Sequence, residues 1–281
     1  MQVFKTIEEL RNTLSAAKRA GQRIGLVPTM GYFHEGHLSL IDYIRPHVDI
    51  IVVSLFVNPT QFGPNEDLER YPRDFKRDER LAAERGTDIL FYPAVEAMYP
   101  QPFFTYVVTE KLSQVLCGKS RPVHFRGVTT VVAKLFNIVQ PDVAVFGRKD
   151  AQQAIIIQRM TADLNFPIKI LTAPIVREPD GLAMSSRNTY LSAVERKQAP
   201  VICQALQHAR QMAAEGVISA KEIKAAVRKI IETATLAQIE YIEIVRELDL
   251  KPVEQIEPDT FLAVAVWFGK TRLIDNVDLA P

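Results

Sequence analysis

Short apolar runs alternate with stretches of helical spacing over the first two thirds of the chain. Five runs predict strands: Ile24–Val27, Asp49–Val57, Asp88–Tyr92, Asp142–Phe146 and Ile168–Thr172. Apolar residues at helical spacing predict four helices between or after them: Gly36–His47, Asp74–Arg85, Val128–Val139 and Asp150–Leu164. This alternation is typical of a parallel sheet covered on both faces, and it predicts an α/β fold of the Rossmann-like, doubly wound kind.

The pattern changes after Pro174. A turn-rich segment, Arg177–Ser192, leads into a predicted helix of roughly twenty residues that ends near Gly216, and Ser192 with Glu195 forms a capping box at its start. A second capping box, Ser219–Glu222, opens another helix. Three alternating runs then predict half-exposed strands: Gln238–Val245, Phe261–Trp267 and Arg272–Asn276. We therefore expect two domains, residues 1–175 and a smaller α+β domain of residues 176–281.

Composition and charge narrow the class of protein. The chain has 281 residues, of which 47% are hydrophobic, enough for a full core. A formal net charge of +1 gives no basic excess for nucleic acid, and no apolar run approaches the ~20 residues that span a bilayer. The two cysteines, Cys117 and Cys203, lie far apart and indicate neither a disulfide framework nor a thiolate zinc site. We expect a cytoplasmic protein without nucleic-acid or membrane partners.

The segment VPTMGYFHEGH, Val27–His37, stands between a predicted strand and a predicted helix. In an open α/β sheet the first such turn delivers ligands to a helix N-terminus, where unpaired N–H groups and the helix dipole favour phosphate. His34 and His37 would share one face if the helix begins at Glu35. The two histidines could equally be turn residues, or they could bind a metal, although no further ligand stands at a readable spacing.

Two later segments carry similar chemistry. In FGRKDAQQ, Phe146–Gln153, Lys149 could reach phosphates as a flexible point charge, but it could also be a solvated lysine. In GLAMSSRN, Gly181–Asn188, two serines and Arg187 match phosphate oxygens, but the serines could simply cap the next helix. A polar loop rich in proline and glycine, Pro59–Arg73, is long enough to be functional.

The motifs together resemble the pantoate–β-alanine ligase family. The resemblance is carried, in order along the chain, by PTMGYFHEGH, VSLFVNPTQF, YPR, RPVHFRGV, VFGRKDAQQ, MSSRN and RLIDN. The His-Glu-Gly-His element is also similar to the signature of the wider nucleotidyltransferase and class I aminoacyl-tRNA synthetase superfamily, in which MSSRN would stand in for the mobile second motif.

The resemblance implies a reaction in two steps. Pantoate attacks the α-phosphorus of ATP to give a pantoyl adenylate and pyrophosphate, and the amine of β-alanine then displaces AMP. Mg²⁺ with the triphosphate and a homodimer are implied too, and Val52, Val53 and Leu55 or the second domain are candidates for the dimer interface. No covalent enzyme nucleophile is needed, which makes Cys117 a packing residue.

The resemblance also implies the roles of particular residues. His37 would be the proton donor, with His34 and Lys149 as its catalytic partners on the phosphates. Gln61 and Gln153 would bind pantoate, and Gln61 would also bind β-alanine. The ATP site would comprise Met30, Gly31, Tyr32, Phe33, His34, Glu35, Gly36, His37, Gly147, Arg148, Lys149, Asp150, Val176, Met184, Ser185, Ser186 and Arg187.

Two positions depart from the family pattern. Arg148 replaces the usual Glu or Gln before the lysine, and Thr60 replaces a frequent Met before Gln61. Two other functions are weighed against the ligase. A nucleotidyltransferase that adenylylates a phosphorylated acceptor would need an extra basic cluster, and a nucleotide-sensing module would not need His34, His37, Lys149 and Arg187 together.

Overall fold

A computed structural model describes residues 1–64 and 66–279, and its backbone contacts divide the chain into two compact units. The first unit consists of residues 1–114, 118–148 and 156–174, and the second of residues 115–117, 149–155 and 175–279. The strands are β1 (Gln2–Phe4), β2 (Ile24–Thr29), β3 (Ile50–Leu55), β4 (Ile89–Phe91), β5 (Val143–Gly147), β6 (Lys169–Ala173), β7 (Ala237–Arg246), β8 (Thr260–Phe268) and β9 (Thr271–Asp278).

The helices are α1 (Ile7–Arg19), α2 (Glu35–Ile44), α3 (Phe75–Glu84), α4 (Val95–Met98), α5 (Cys117–Ser120), α6 (His124–Val139), α7 (Ala151–Asp163), α8 (Ala193–Gln198), α9 (Val201–Ala214) and α10 (Ala220–Ile231). Short 3₁₀ turns at Pro59–Gln61, Arg148–Asp150 and Ser186–Tyr190 carry residues named in the sequence. Among the helices described, none combines the length and the apolar character that a bilayer span requires.

The first unit is built on a six-stranded parallel sheet in the order β1-β4-β3-β2-β5-β6. Side chains alternate between its faces, so that Val27, Val53 and Val145 pack with the apolar side of α2 while α6 contacts β2 and α1. The predicted α/β, doubly wound fold is confirmed.

The strand order reverses between β2 and β5. From β2 the chain steps to β3 and then β4 on one side, and it returns to β5 and β6 on the other side. Pairing of β2 with β5 covers only Gly25 and Leu26, whereas β2 pairs with β3 as far as Thr29. Pro28 has no N–H, so it cannot donate a hydrogen bond that would continue the pairing of β2 with β5 beyond Leu26. The carboxyl ends of β2 and β5 therefore border a topological switch point, the usual ligand crevice of such sheets.

The second unit contains an antiparallel sheet in the order β7-β8-β9. Its core joins buried residues of α9 and α10 to this sheet, among them Leu206, Ile223 and Val264. The expected α+β character is confirmed, but β8 is not half-exposed. Apart from Trp267 its residues are buried, because β8 is the central strand.

Several predicted elements need correction. The helix expected from Ser192 to Gly216 is two helices, α8 and α9, since Pro200 between them lacks the N–H that a continuous helix would use. The helix predicted from Val128 begins at His124, and β1 and α1 were not predicted. The predicted loop Pro59–Arg73 begins with a 3₁₀ turn, and its Asn65 lies outside the described residues.

The candidate interface on the third strand is wrong. Val52 and Val53 are completely buried and Leu55 is 5% exposed, because β3 lies inside the sheet between β2 and β4. These side chains belong to the core of the first unit and offer no surface to a second copy.

Candidate active site

The turn between β2 and α2 lies at the switch point of the first unit. Gly31 and Tyr32 both adopt the left-handed region, with φ of 86° and 54°. A Cβ on Gly31 would also come 2.9 Å from Oδ2 of Asp78, so only glycine fits there. Phe33 is buried in the core, and the helix then begins at Glu35, as the pairing of the two histidines on one face requires.

His34 and His37 cap this helix reciprocally. Nδ1 of His34 accepts the Gly36 N–H at 3.1 Å, and Nδ1 of His37 accepts the His34 N–H at 3.4 Å. Their rings lie 4.1 Å apart. An imidazole nitrogen that accepts a hydrogen bond carries no proton, so this pairing directs the proton of each neutral ring to Nε2.

The helix start is therefore less open than expected. The Gly36 N–H is held by His34, and the His37 N–H donates to the His34 carbonyl at 2.8 Å. The expectation of unpaired N–H groups is wrong for these two residues. At this turn the two imidazole rings instead accept backbone N–H groups through Nδ1.

Gln61 ends the 3₁₀ turn that follows β3 and is only 7% exposed. Its Oε1 accepts a hydrogen bond from Nδ2 of Asn58 at 3.1 Å, and its Nε2 lies 2.9 Å from Sδ of Met30. Oδ1 of Asn58 in turn accepts from the Tyr99 hydroxyl at 2.8 Å and from Thr60 Oγ1 at 2.9 Å. The amide of Gln61 is therefore oriented, with its NH₂ toward Met30 of the opening turn.

The first turn of helix α6 holds the Gln61 turn by hydrogen bonds. The Gly127 carbonyl accepts from Asn58 Nδ2 at 3.1 Å, and the Gln61 carbonyl lies 3.0 Å from Nδ1 of His124. Arg121 also reaches this carbonyl, at 3.4 Å. Arg121, His124 and Gly127 lie within the motif RPVHFRGV, whose sequence alone does not indicate this supporting role.

Arg121 forms an ion pair with Glu66 beside this turn. Burial opposes ionisation of Glu66, but the hydrogen bond and charge of Arg121 outweigh that effect and hold its pKa below the usual range. The pair ties the loop after Gln61 to the segment before α6.

Gly147 and Arg148 end β5 on the other side of the switch point. A Cβ on Gly147 would meet no atom within 4 Å, so this edge is open. The following sequence-predicted residues belong to the first unit: Met30, Gly31, Tyr32, Phe33, His34, Glu35, Gly36, His37, Gln61, Gly147 and Arg148.

The remaining predicted residues belong to the second unit. Lys149 Nζ lies 3.9 Å from Asp150 Oδ2, and the Lys149 carbonyl accepts from Asn276 Nδ2 at 3.0 Å. Gln153 is half-buried, whereas its neighbour Gln152 holds the backbone of Val115 and Cys117. The RLIDN motif on β9 thus fixes the peptide that carries Lys149.

Val176 and Met184 are paired across a short hairpin loop, in which the Met184 N–H donates to the Val176 carbonyl at 3.0 Å and Arg177 pairs with Ala183. Ser185 then caps the following 3₁₀ turn by accepting the Arg187 N–H at 3.3 Å. Ser186 is buried and Arg187 is half-buried. Helix capping by a serine, one of the two roles left open by the sequence, is thus what Ser185 does here.

A buried ion pair fixes the base of this turn. Arg177 donates to both carboxylate oxygens of Asp275, at 2.6 and 3.1 Å. Burial raises the pKa of Asp275, and the hydrogen bonds and charge of Arg177 act against that rise. Cys117, also in the second unit, is 7% exposed and lies 3.6 Å from Arg272 Nη1, as fits a packing residue.

Comparison with known proteins agrees with the motifs. The family model for pantoate-beta-alanine ligase matches residues 2–278. Pantothenate synthetases of Moorella thermoacetica and Thermotoga neapolitana are 55% and 53% identical over 279 residues, covering 99% of this chain and 99% and 100% of theirs.

Solved structures extend the likeness to the fold. The crystal structure of pantothenate synthetase from Thermus thermophilus superposes with a TM-score of 0.95 at 45% identity, covering both chains completely. The Francisella tularensis pantoate-beta-alanine ligase, complexed with beta-gamma ATP and beta-alanine, gives a TM-score of 0.82 at 32% identity over 99% of this chain and 98% of that one. The resemblance inferred from the motifs is confirmed, and the chain belongs to the pantoate–β-alanine ligase family.

Proposed function

We propose that the protein joins pantoate to β-alanine at the expense of ATP, through a pantoyl adenylate, and releases AMP and pyrophosphate. The observation that carries this proposal is the pairing of two capping histidines with an oriented glutamine at the switch point. Membership of the family and the nucleotide named for the Francisella relative support the same reaction.

In the first step a carboxylate oxygen of pantoate bonds to the α-phosphorus, and the bond from that phosphorus to the bridging oxygen breaks. Two anions must approach each other, so hydrogen-bond donors have to be aimed at the phosphoryl oxygens and at the departing pyrophosphate. We assign the Nε2–H groups of His34 and His37 as such hydrogen-bond donors. His37, the expected proton donor, donates a hydrogen bond from its neutral ring and keeps its proton, because pyrophosphate leaves as an anion. Lys149 and Arg187 add positive charge to the phosphates.

Gln61 orients pantoate. Because Asn58 already occupies its Oε1, the NH₂ group is the part of Gln61 that can donate to a pantoate oxygen, and the sulfur of Met30 is a weak acceptor that such an oxygen can replace. A neutral amide leaves the pantoate carboxylate reactive, whereas an ion pair would hold it back. Gln153 is the second pantoate ligand. Gln61 also contacts β-alanine in the second step, in which the β-alanine amine attacks the acyl carbon of the adenylate and AMP leaves.

The second domain completes nucleotide binding. We assign the adenine to the neighbourhood of Val176, and the rest of the nucleotide to residues 147–150 and to Met184, Ser185, Ser186 and Arg187. In the domain division expected from the sequence, which differs from the compact units at residues 115–117, 149–155 and 175, residues 1–175 bind ATP and pantoate. Residues 176–281 are the proposed lid that keeps water from the adenylate. We also propose that the protein is a cytoplasmic homodimer, which light scattering of the purified protein would test.

Mg²⁺ fits this donor set as a companion of the triphosphate. Among the described residues no group of three potential ligands forms a cage, and Mg²⁺ is commonly held by one or two carboxylates together with substrate phosphates. We assign Asp150, whose side chain is 48% exposed and lies beside Lys149, as a carboxylate that would hold the ion. When bound, the ion neutralises charge on the phosphates.

Product analysis tests the proposal directly. The protein with Mg-ATP, pantoate and β-alanine should yield AMP and pyrophosphate by phosphorus NMR, and pantoate labelled in its carboxylate oxygens should transfer one label to AMP. ADP as the product, or unlabelled AMP, would refute the adenylate. An adenylate that accumulates and never reacts with β-alanine would instead favour the nucleotidyltransferase.

A single substitution tests the placement of the nucleotide. His37→Ala should slow pantoate-dependent exchange of pyrophosphate into ATP by ~10²–10³, the loss expected for one donor to a developing anion. His208→Ala, at an exposed position on α9, is the matched control and should exchange like the wild type. An unchanged exchange rate in His37→Ala would remove this histidine from catalysis.

A further inference from the structure

The turn that carries the two histidines is held by a residue far away in sequence. Asp78 lies on α3 and is 1% exposed, although it carries a carboxylate. Its Oδ2 accepts the N–H of Tyr32 at 2.6 Å, and its Oδ1 accepts the N–H of Phe33 at 2.7 Å. One carboxylate thus grips two successive peptide groups immediately before His34.

The turn needs such support because its backbone is unfavourable. A non-glycine residue with a φ of 54° is uncommon, and left-handed residues persist where the surrounding structure fixes them. Two charge-assisted hydrogen bonds on the adjoining N–H groups fix Tyr32 in that conformation. Gly31 leaves room for this grip, since any side chain there would collide with Oδ2.

The neighbouring residue on α3 grips the same tyrosine by its side chain. The guanidinium of Arg77 lies 5.2 Å from the centre of the Tyr32 ring, a cation–π distance. Its Nη1 is 3.8 Å from Oδ1 of Asp78. Burial raises the pKa of Asp78, and the two backbone hydrogen bonds and the charge of Arg77 act against that rise.

We propose that Asp78 is a positioning residue for adenylate formation: by holding the Tyr32 and Phe33 peptides, it sets where the imidazoles of His34 and His37 stand. The inference rests on the proposed function, because it assumes that these histidines serve the nucleotide. Asp78 itself touches no substrate in this scheme. Its effect on rate arises because an error of about 1 Å in a reacting group can cost ~10²-fold.

Asp78→Asn is the variant that tests the clamp. It keeps the shape of the side chain, but its NH₂ group would face one of the two N–H donors, so one peptide is released. We expect pantoate-dependent pyrophosphate exchange to fall ~10²-fold, and amide hydrogen exchange at Tyr32 and Phe33 to quicken at least tenfold. Amides of Ile41 and Ile44 in α2 should keep their protection, which shows that the helix is intact.

Asp74→Ala is the matched control. Asp74 caps the same helix by accepting the Arg77 N–H at 3.1 Å, so its loss weakens α3 without touching the turn. The rate of pantoate-dependent pyrophosphate exchange in Asp74→Ala should stay within twofold of the wild-type rate. If Asp74→Ala is as slow as Asp78→Asn, the effect is one of general stability and the proposal is overturned. It is equally overturned if Asp78→Asn frees the two amides and leaves catalysis unchanged.

The His37→Ala measurement separates this inference from the proposed function. If His37→Ala is inactive while Asp78→Asn is fully active, the assignment of the nucleotide to this turn is supported and only the positioning role of Asp78 is refuted. If His37→Ala is fully active, the assignment itself falls. Should Asp78→Asn not fold, the wild type decides by itself, since protected amides at Tyr32 and Phe33 support the clamp and freely exchanging ones refute it.

Discussion

Replacing Gly127 by alanine should move the Gln61 turn without changing the chemical identity of any residue that we assign to the substrates. Gly127 lies near the start of α6, where the backbone of the turn crosses the helix. A Cβ built there comes 2.4 Å from the Thr60 carbonyl oxygen and 2.5 Å from the N and Cα atoms of Gln61. All three are backbone atoms, so no side-chain rotation can relieve the contact.

The size of the shift follows from these distances. Ordinary contact with a Cβ begins at 3.4 Å, so the turn must retreat by about 0.9 Å from the 2.5 Å contacts. In a helix interior alanine is favoured over glycine by about 1 kcal/mol, whereas overpacking costs typically 1–3 kcal/mol. The net loss of stability should be about 1 kcal/mol. The shift should affect catalysis more than stability, because misplacing a reacting group by 1 Å can lower the rate about 10²-fold.

Steady-state kinetics with pantoate and ATP varied separately provide the assay. Gly127→Ala should raise the KM for pantoate at least tenfold, with the KM for ATP within about twofold, because the displaced residue, Gln61, is the proposed pantoate ligand. Ile138→Val, a buried truncation on the same helix that costs ~0.5–1.5 kcal/mol, controls for stability and should leave both constants unchanged. Equal losses for both substrates, or none, would refute this account of the turn.

Three further predictions follow from single contacts. Gln61→Ala should raise the pantoate requirement more than the ATP requirement in the same assay, and the reverse pattern would misplace the pocket. Arg121 holds the pKa of Glu66 down against the opposing effect of burial, so Glu66 stabilises the fold above its unfolded pKa near 4.5 and loses that contribution as pH falls through the folded pKa. In urea unfolding, the free energy of unfolding of Glu66→Gln should therefore fall less steeply with acid than that of the wild type. Parallel pH dependences of the two proteins would contradict this. Asp275→Ala should lower the free energy of unfolding by ~3 kcal/mol, since it leaves Arg177 without its buried partner, and a loss below about 1 kcal/mol would deny the pair a structural role.

The fold could be predicted because each of its main elements leaves a local pattern. The strands from β2 to β6 are apolar runs, and the helices between them show apolar residues at helical spacing. β1 has only three residues and is defined by its pairing with β4, so the local hydrophobic pattern cannot predict it. Pro200 was visible in the sequence and should have divided the predicted helix, because a proline removes one of its N–H donors.

The site could be predicted only in part, for the same reason. Motif spacing identified the residues of the opening turn, but the partners that hold them are remote: Asp78 lies 46 residues from Tyr32, and Arg121 lies 60 residues from Gln61. One signal for Asp78 was present. Phe75, Asp78 and Ala82 stand at helical spacing on the packed side of α3, and a carboxylate on such a stripe needs buried hydrogen-bond donors.

If the function proposed above is correct, the choice of histidine at the start of α2 follows from what the alternatives would do to an anionic substrate. Serine, threonine, aspartate and asparagine are the common N-caps, and α8 and α10 of this chain begin with serines that accept an N–H in the usual manner. An aspartate in place of His34 would cap equally well but would set a negative charge against the phosphates, and a serine would be too short to extend beyond the cap. His34 uses Nδ1 for the backbone, so in the proposed reaction Nε2 is the ring nitrogen assigned to the substrate, and one side chain would both begin the helix and contact the phosphates. The same logic requires the peptide before it to be fixed, because the direction of Nε2 is only as well defined as the turn that Asp78 holds.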